Sequence, residues 1–442
     1  MKQKKILILG MARSGIAVAK LLSTYENEIT ISDIKEQDKK TIEELENLKL
    51  KVMITEKQED LIDDSWDVII KNPAIKQDHP ALLKAKEFGI PIINEMEASF
   101  FLLPQDITII GITGSNGKTT TTTICYELLK YTKKQVHVGG NIGTPLSSLV
   151  PKIHSGDILV LEISDHQLCD MYDFKTSISV LTNLSEVHLD FHGSYEKYKM
   201  MKKRIFNHHT NKEIAIINQE NEDCLQLTKD IPSKKMYFSS KNNADICLKD
   251  NKIFYLDQEI IACDEIKLKG THNYENIMVG ILLAKMFQVA NEDIQNFLKN
   301  FGGVEHRLEF VRELKGRKFY NDSKSTNNQS TIIALNSFIE PTLLIMGGLD
   351  RNIPFDEIAP FLKNVKTILC YGETKEKIKA FALKNEKEVI VLDTLIEATT
   401  KAYEMSTEGD IILLSPACAS WDQYPDFEKR GIEFKETVNN LV

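Results

Sequence analysis

Residues 107–131 read ITIIGITGSNGKTTTTTICYELLKY. An apolar, β-branched run enters a glycine-bracketed loop and leaves it as a segment with helical potential. This order constrains the fold more than any other stretch. A glycine loop cradles phosphate when a parallel strand delivers the chain to a helix N-terminus. The common form is Gly, four residues, then Gly-Lys-Ser/Thr. Counting back from Gly117-Lys118-Thr119 puts Ile112 where the first glycine belongs, with Gly111 and Gly114 on either side. The backbone N–H groups of Gly114, Ser115, Asn116, Gly117 and Lys118 are expected to face phosphate oxygens. Lys118 would supply a point charge to the β- and γ-phosphates, and the Thr119 hydroxyl would hold Mg²⁺. The competing reading, a strand-to-helix turn with a chance lysine, does not account for the Gly-Lys-Thr-Thr cluster in this setting.

The same grammar recurs along the chain. KILILG, EITISD, DVIIKNP and PIIN read as buried strands separated by helical stretches such as IAVAKLLSTY. A second block runs from ITIIGITG through DILVLEIS, SISVLTN and EIAIIN, and a third contains PTLLIMGG, TILCYG, EVIVLD and DIILLSP. Strands alternating with helices imply parallel sheets covered on both faces. The expected fold is α/β in three domains: a Rossmann-like one at 1–94, a central ATPase-type one at 95–300 and a second Rossmann-like one at 301–442. A chain of 442 residues is too long for one core. The net charge of -9 provides no global field for nucleic acid. No apolar run reaches the roughly 20 residues of a membrane span. The opening MKQKKILILGMARSG is basic and then apolar like a leader, but glycine, arginine and serine interrupt it, so it reads as a first strand. Seven scattered cysteines without a CxxC pair point to free thiols in a reducing cytoplasm.

Two further places carry chemistry. DILVLEIS ends a strand with Glu162, where parallel sheets gather ligands, so Glu162 is a candidate metal carboxylate or else a solvated acid. After SISVLTN comes a loop holding His188, Asp190 and His192, which are candidate ligands or structural residues.

TGSNGKTT, EIS followed by Gln167-Leu168, NLSEVHLDFHGSYEKYKMMKKRI, KGTHNYEN, GGVEHRLE, YNDSKSTN and LSPACASWDQYPDFEKRG occur in that order across the whole chain. In this series the chain resembles the Mur ligases, whose nucleotide loop has the form TGxNGKT, which removes the anomaly at Ile112. The resemblance implies an ATP-dependent ligase of peptidoglycan precursor synthesis, a monomer, joining D-glutamate to UDP-N-acetylmuramoyl-L-alanine through an acyl phosphate.

Site residues follow from the same resemblance. Thr119 and Glu162 would hold one Mg²⁺, and Glu162 and His188 a second. Lys202 matches a lysine that the family carbamylates with CO₂. Gly114 to Thr120, including Thr120 itself, would form the ATP loop. Asn273 and Asn276 would lie on its adenine side, Arg307 at the γ-phosphate and Asp322 near the ribose. The turn Arg13, Ser14, Gly15 would hold the UDP diphosphate and Asp33 would face uracil. Asn141, Ser164, Gln167 and His188 would contact the UDP substrate. Lys324, Thr326, Arg351, Ser420 and Phe427 would bind D-glutamate. Four residues depart from the family: Asp165-His166 stand where SSFQL is usual, Ala74 replaces a common glycine, and Arg351 replaces a common lysine. A dehydrogenase would use the first turn, but GMARSG is not GxGxxG. A nucleotide-gated binding module would have no use for the set Glu162, His188 and Lys202.

Overall fold

The computed structural model describes residues 2–187 and 189–442, so His188 lies outside the described residues, as does the side chain of Asp190. The chain forms two compact units, Met1–Asn300 and Phe301–Val442.

The first unit contains two sheets. One has five parallel strands in the order Lys51–Ile54, Glu28–Asp33, Lys5–Leu9, Val68–Lys71, Ile92–Ile93. The other has nine. Val136–Gly140, Ile158–Glu162, Thr108–Thr113, Ile178–Leu181, Ile214–Asn218, Lys234–Ser239 and Ile246–Lys249 run parallel, and antiparallel Lys252–Tyr255 and Gln258–Ala262 close one edge. The central strands are continuous apolar runs such as ILVLE and ISVL, buried along their whole length because helices cover both faces.

The two sheets of this unit are tied by polar contacts as well as by packing. Lys71 Nζ meets Asp170 Oδ2 at 2.8 Å, with both side chains at most 1 % exposed. The Asn94 side chain donates to Gln167 O at 2.5 Å, and Glu97 accepts the N–H groups of Asp173 and Phe174.

Helix Lys118–Leu129 begins KTTTTT, and a run of β-branched residues is a poor helix former. Tertiary packing overrides that preference. Thr119 to Thr122, Ile124, Cys125, Leu128 and Leu129 are buried, and helix Thr271–Met286 lies against them. Gly280 permits the close approach, since a Cβ there would sit 2.4 Å from Ile124 Cγ2.

The second unit is a six-stranded sheet in the order Glu309–Leu314, Arg317–Asn321, Ile411–Leu414, Thr342–Gly347, Val365–Tyr371, Glu388–Val391. Only the first of these runs antiparallel. The segments after Asn321, Leu414 and Gly347 therefore leave neighbouring strands at the same edge. Among the described residues no helix is long and apolar enough to cross a membrane.

Candidate active site

Strand Thr108–Thr113 pairs with Ile158–Glu162 in a register that sets Ile112 opposite Glu162. The glycine loop thus starts beside the buried end of its neighbour. Gly114 has φ +151° and a Cβ there would strike Thr182 Oγ1. Gly117, at φ +78°, starts the helix, and a Cβ would lie 2.4 Å from Asn276 Oδ1. Only glycine fits at either place, so both loop glycines have a steric reason.

Asn183, which the motif did not flag, organises the loop. Its carbonyl accepts the Ser115 N–H at 2.9 Å and its Oδ1 accepts the Asn116 N–H at 2.8 Å. Those two N–H groups, expected to face phosphate, are therefore used within the protein. The positive end of helix Lys118–Leu129 remains as the backbone contribution. The Ser115 hydroxyl is 2.8 Å from Tyr198 OH, and Lys118 Nζ donates to Gly114 O at 2.8 Å and Ser115 O at 2.9 Å. The ammonium is thereby held on the loop. Thr119 and Thr120 are buried in the first turn below it.

Glu162 is 2 % exposed. One oxygen accepts Asn141 Nδ2 at 2.7 Å, and the other has no hydrogen-bond partner. A buried carboxylate oxygen left unsatisfied is costly, and a divalent cation would satisfy it. The residues present therefore fit Mg²⁺, with Thr119 and Glu162 as holders. Asn141, expected on the UDP substrate, is joined directly to this acid. Asn276 Oδ1 accepts from Thr121 Oγ1 at 3.0 Å, and Asn273 Nδ2 donates to Lys269 O. Both sit on the helix that packs against the loop helix.

Lys202 is fully buried. Its Nζ donates to Thr113 Oγ1 at 3.0 Å and lies 3.3 Å from Asp165 Oδ1. Burial holds its ammonium below the ordinary lysine range, and Asp165 pulls it back upward. Asp165 also meets His192 Nε2 at 2.8 Å and His166 Nδ1 at 3.2 Å.

Ser164 and Gln167 form a capping box on the short helix Asp165–Leu168, with Gln167 Oε1 accepting from Ser164 N and Gln167 Nε2 pointing to Met96 Sδ. These polar atoms thereby cap the helix that carries Asp165. In the first sheet, Arg13, Ser14 and Gly15 open helix Arg13–Leu22 directly after the first strand. A Cβ on Gly15 would fall 1.9 Å from Gly10 O. Asp33, expected to face uracil, accepts the N–H groups of Met11 at 2.6 Å and Lys35 at 2.9 Å and so shapes the turn after the first strand.

In the second unit the three neighbouring loops bring the amino-acid-side residues to one edge. Lys324 Nζ lies 5.4 Å over the Phe427 ring and Arg351 lies 5.8 Å over Trp421. Leu349 pairs with Ala419, one residue before Ser420. Thr326 follows Lys324 in a tight turn, its N–H on Lys324 O. Beneath them lies Arg430, fully buried, donating to Ser323 O at 2.7 Å, Ser323 Oγ at 3.0 Å and Cys418 O at 3.0 Å.

Arg307 sits in a turn where His306 and Leu308 hold φ of +64° and +44°. Asp322 closes that turn by accepting the Leu308 N–H at 3.1 Å, and it also accepts Ser325 Oγ and Ser415 Oγ. Its oxygens are committed to the protein, in contrast to the ribose contact expected. Burial raises its carboxyl from 3.8 to about 6, against the pull of Ser325 and Arg307. Between those values the folded chain keeps a proton that the unfolded chain has lost. Stability from this group is therefore full below pH ~4 and falls by on the order of 3 kcal/mol as pH rises through ~6. Asp322→Asn should gain over wild type in urea melts at pH ~7.5 and lose that advantage near pH ~4. An advantage independent of pH would contradict the assignment.

A glycine loop feeding a helix, beside a buried acid with an unsatisfied oxygen, defines a nucleotide-dependent α/β enzyme with a separate substrate-binding unit. Comparison with known proteins makes the class specific. Residues 4–94 match the Mur ligase MurD-like N-terminal domain, 112–284 the Mur ligase middle domain and 306–418 the Mur ligase glutamate ligase domain. The chain is 40 % identical over 445 aligned positions to UDP-N-acetylmuramoylalanine–D-glutamate ligases of Geobacillus sp. (strain WCH70) and Bacillus thuringiensis (strain Al Hakam), spanning 100 % of this chain and 98 % of each relative. Among solved structures it resembles the UDP-N-acetylmuramate-alanine ligase of Thermotoga maritima, with TM-score 0.62, 18 % identity and 99 % of both chains covered. It also resembles the MurF ligase of Thermotoga maritima in complex with ADP, with TM-score 0.58 and 19 % identity over 99 % of this chain and 96 % of that one. The chain belongs to the Mur ligase family.

Proposed function

We propose that the chain is the ATP-dependent ligase that joins D-glutamate to UDP-N-acetylmuramoyl-L-alanine in peptidoglycan precursor synthesis. The observation that carries this reading is its full-length kinship with D-glutamate ligases. The geometry supports it.

A muramoyl-alanine carboxylate attacks the γ-phosphorus of ATP, and the bond to the β–γ bridging oxygen breaks, releasing ADP. The amine of D-glutamate then attacks the acyl carbon, phosphate departs with the C–O bond, and the nitrogen gives up its proton. Anion meets anion in the first step, so positive charge must sit at the meeting point. Lys118 and the N-terminus of its helix provide it, and Thr119 and Glu162 would hold Mg²⁺, which would supply further positive charge there. His188 is proposed as a second metal and UDP-substrate ligand by resemblance alone. Asn273 and Asn276 border the adenine, and Arg307 is assigned to the γ-phosphate by resemblance alone. The Arg13–Gly15 turn takes the UDP diphosphate, with Asp33 shaping that turn and Asn141 bridging to Glu162. The domains are 1–94, 95–300 and 301–442. The reading places the enzyme in the cytoplasm as a monomer, which its seven free cysteines suit.

Lys324, Arg351, Thr326 and Ser420 hold the two carboxylates of D-glutamate, with Phe427 and Trp421 as the walls beneath the cations. D-Glutamine lacks one anionic contact and leaves a cation unpaired, at about 2–5 kcal/mol. Phosphate release measured with each substrate omitted in turn, and with D-glutamine in place of D-glutamate, tests the reading. It should require all three substrates and fall at least tenfold with D-glutamine. Comparable kcat/KM for the two amino acids would refute the pocket.

A further inference from the structure

Asn218 ends strand Ile214–Asn218 and pairs with Phe238 on the neighbouring strand. It is 3 % exposed, at a place where an apolar side chain would have no hydrogen bonds to satisfy. Its amide is nevertheless fully used. Nδ2 donates to Thr182 O at 2.9 Å and to Glu275 Oε2 at 3.2 Å, and Oδ1 accepts the Glu220 N–H at 2.8 Å. We propose that Asn218 and Glu275 are a positioning pair that sets the depth of the adenine pocket and ties that pocket to the glycine loop. The inference rests on the placing of adenine beside Asn273 and Asn276 in the ligase reading.

Contacts run both ways from this amide. On one side, the Thr182 hydroxyl donates to Asn116 O at 2.7 Å, and Thr182 Oγ1 is the atom that a Cβ on Gly114 would meet. Thr182 is the wall against which the loop closes, and Asn218 holds its carbonyl. On the other side, Glu275 lies on helix Thr271–Met286 between Asn273 and Asn276. Its second carboxylate oxygen accepts Ser240 Oγ at 2.6 Å, just past the end of strand Lys234–Ser239. The next residue, Asn276, is fastened elsewhere, to Thr121 Oγ1 on the loop helix. Consecutive helix positions point about 100° apart. Two anchors at Glu275 and Asn276 therefore fix both the rotation of the helix and its distance from the sheet. Those two quantities decide how far a flat base can enter beside Asn273 and Asn276. An amide suits the joint because it donates twice and accepts once. Aspartate would set a carboxylate against the Thr182 carbonyl and the Glu275 carboxylate, where charges repel and no donor remains.

The test is titration calorimetry of the full-length protein with ADP, GDP and the UDP substrate, none of which requires turnover. Wild type should bind ADP more tightly than GDP. Asn218→Asp should weaken ADP by about tenfold, narrow the preference for ADP over GDP, and leave the UDP substrate within a few-fold of wild type. Glu275→Ala, at a half-buried position, serves if Asn218→Asp does not fold. Glu275→Gln, which keeps an acceptor, should restore part of the loss seen in Glu275→Ala. The double variant Asn218→Asp/Glu275→Ala should be no weaker than Asn218→Asp alone, because the two residues act as one joint. Wild-type ADP affinity in the folded variants, additive losses, or equal weakening of ADP and the UDP substrate would overturn the proposal. So would a wild type that binds GDP as tightly as ADP. A wild type that releases no phosphate would refute the ligase reading, while these nucleotide affinities would still decide the joint.

Discussion

Lys118→Ala is expected to abolish nucleotide-dependent phosphate release, by roughly a thousandfold or more, while binding of the UDP substrate changes little. The magnitude follows from what the residue faces. A carboxylate and a triphosphate carry like charge to one point, and Lys118 is the cation that the loop fixes there through Gly114 O and Ser115 O. Its removal deletes charge from a preorganised site, where a dipole or cation is worth far more than in water. In the proposed reading the UDP substrate is gripped elsewhere, at the turn that opens helix Arg13–Leu22. Titration calorimetry with that substrate should thus give a Kd within a few-fold of wild type. Lys118→Arg separates charge from shape, because the planar guanidinium keeps the cation but does not fit the two loop carbonyls in the same way. It should recover a fraction of the rate. Normal turnover in Lys118→Ala would end the ATP assignment.

Arg430→Met should cost the second unit roughly 3–5 kcal/mol and, in whatever folds, raise KM for D-glutamate well above any change in KM for ATP. Arg430 is wholly enclosed, and its guanidinium serves Ser323 and Cys418, one residue before Lys324 and two before Ser420. Methionine fills a similar volume and donates nothing, so the carbonyl oxygens of Ser323, Cys418 and Gly347 and the Ser323 hydroxyl lose this donor. The loops that carry the amino-acid contacts then lose their common reference. Lysine keeps the charge but cannot span the three loops, so Arg430→Lys should rescue little. Urea melts and separate KM determinations check the prediction. Wild-type stability in Arg430→Met would show that the loops are held by something else.

Sequence reading succeeded where a local rule governs. Runs such as KILIL and ILVLE are buried end to end and announce themselves. The glycine loop is visible because φ-permissive residues and a lysine must stand in fixed order. Lys234–Ser239, Ile246–Lys249, Lys252–Tyr255 and Gln258–Ala262 were not read as strands, because charged residues break their apolar runs at the edge of the sheet. The site was legible only for groups whose chemistry is stated by type and spacing. Asn183 governs the loop from 67 residues away and carries no signal by itself. Trp421 and Arg430 lay inside a recognised stretch, yet only the packing shows that one supports Arg351 and the other underpins three loops. Ser164 and Gln167 carry a second message that their type alone does not state: the pair caps the short helix Asp165–Leu168.

The buried ion pair between Lys71 and Asp170 crosses the place, at residue 94, where the match to the family's N-terminal domain ends. Folding does not respect it. Cut there, the piece upstream would keep an ammonium that had lost its carboxylate, and the piece downstream a carboxylate that had lost its ammonium. Each would have to be solvated or neutralised before either piece could stand alone. Residues 4–94 are therefore not electrostatically self-contained, and any chimera built at that seam must carry both halves of the pair.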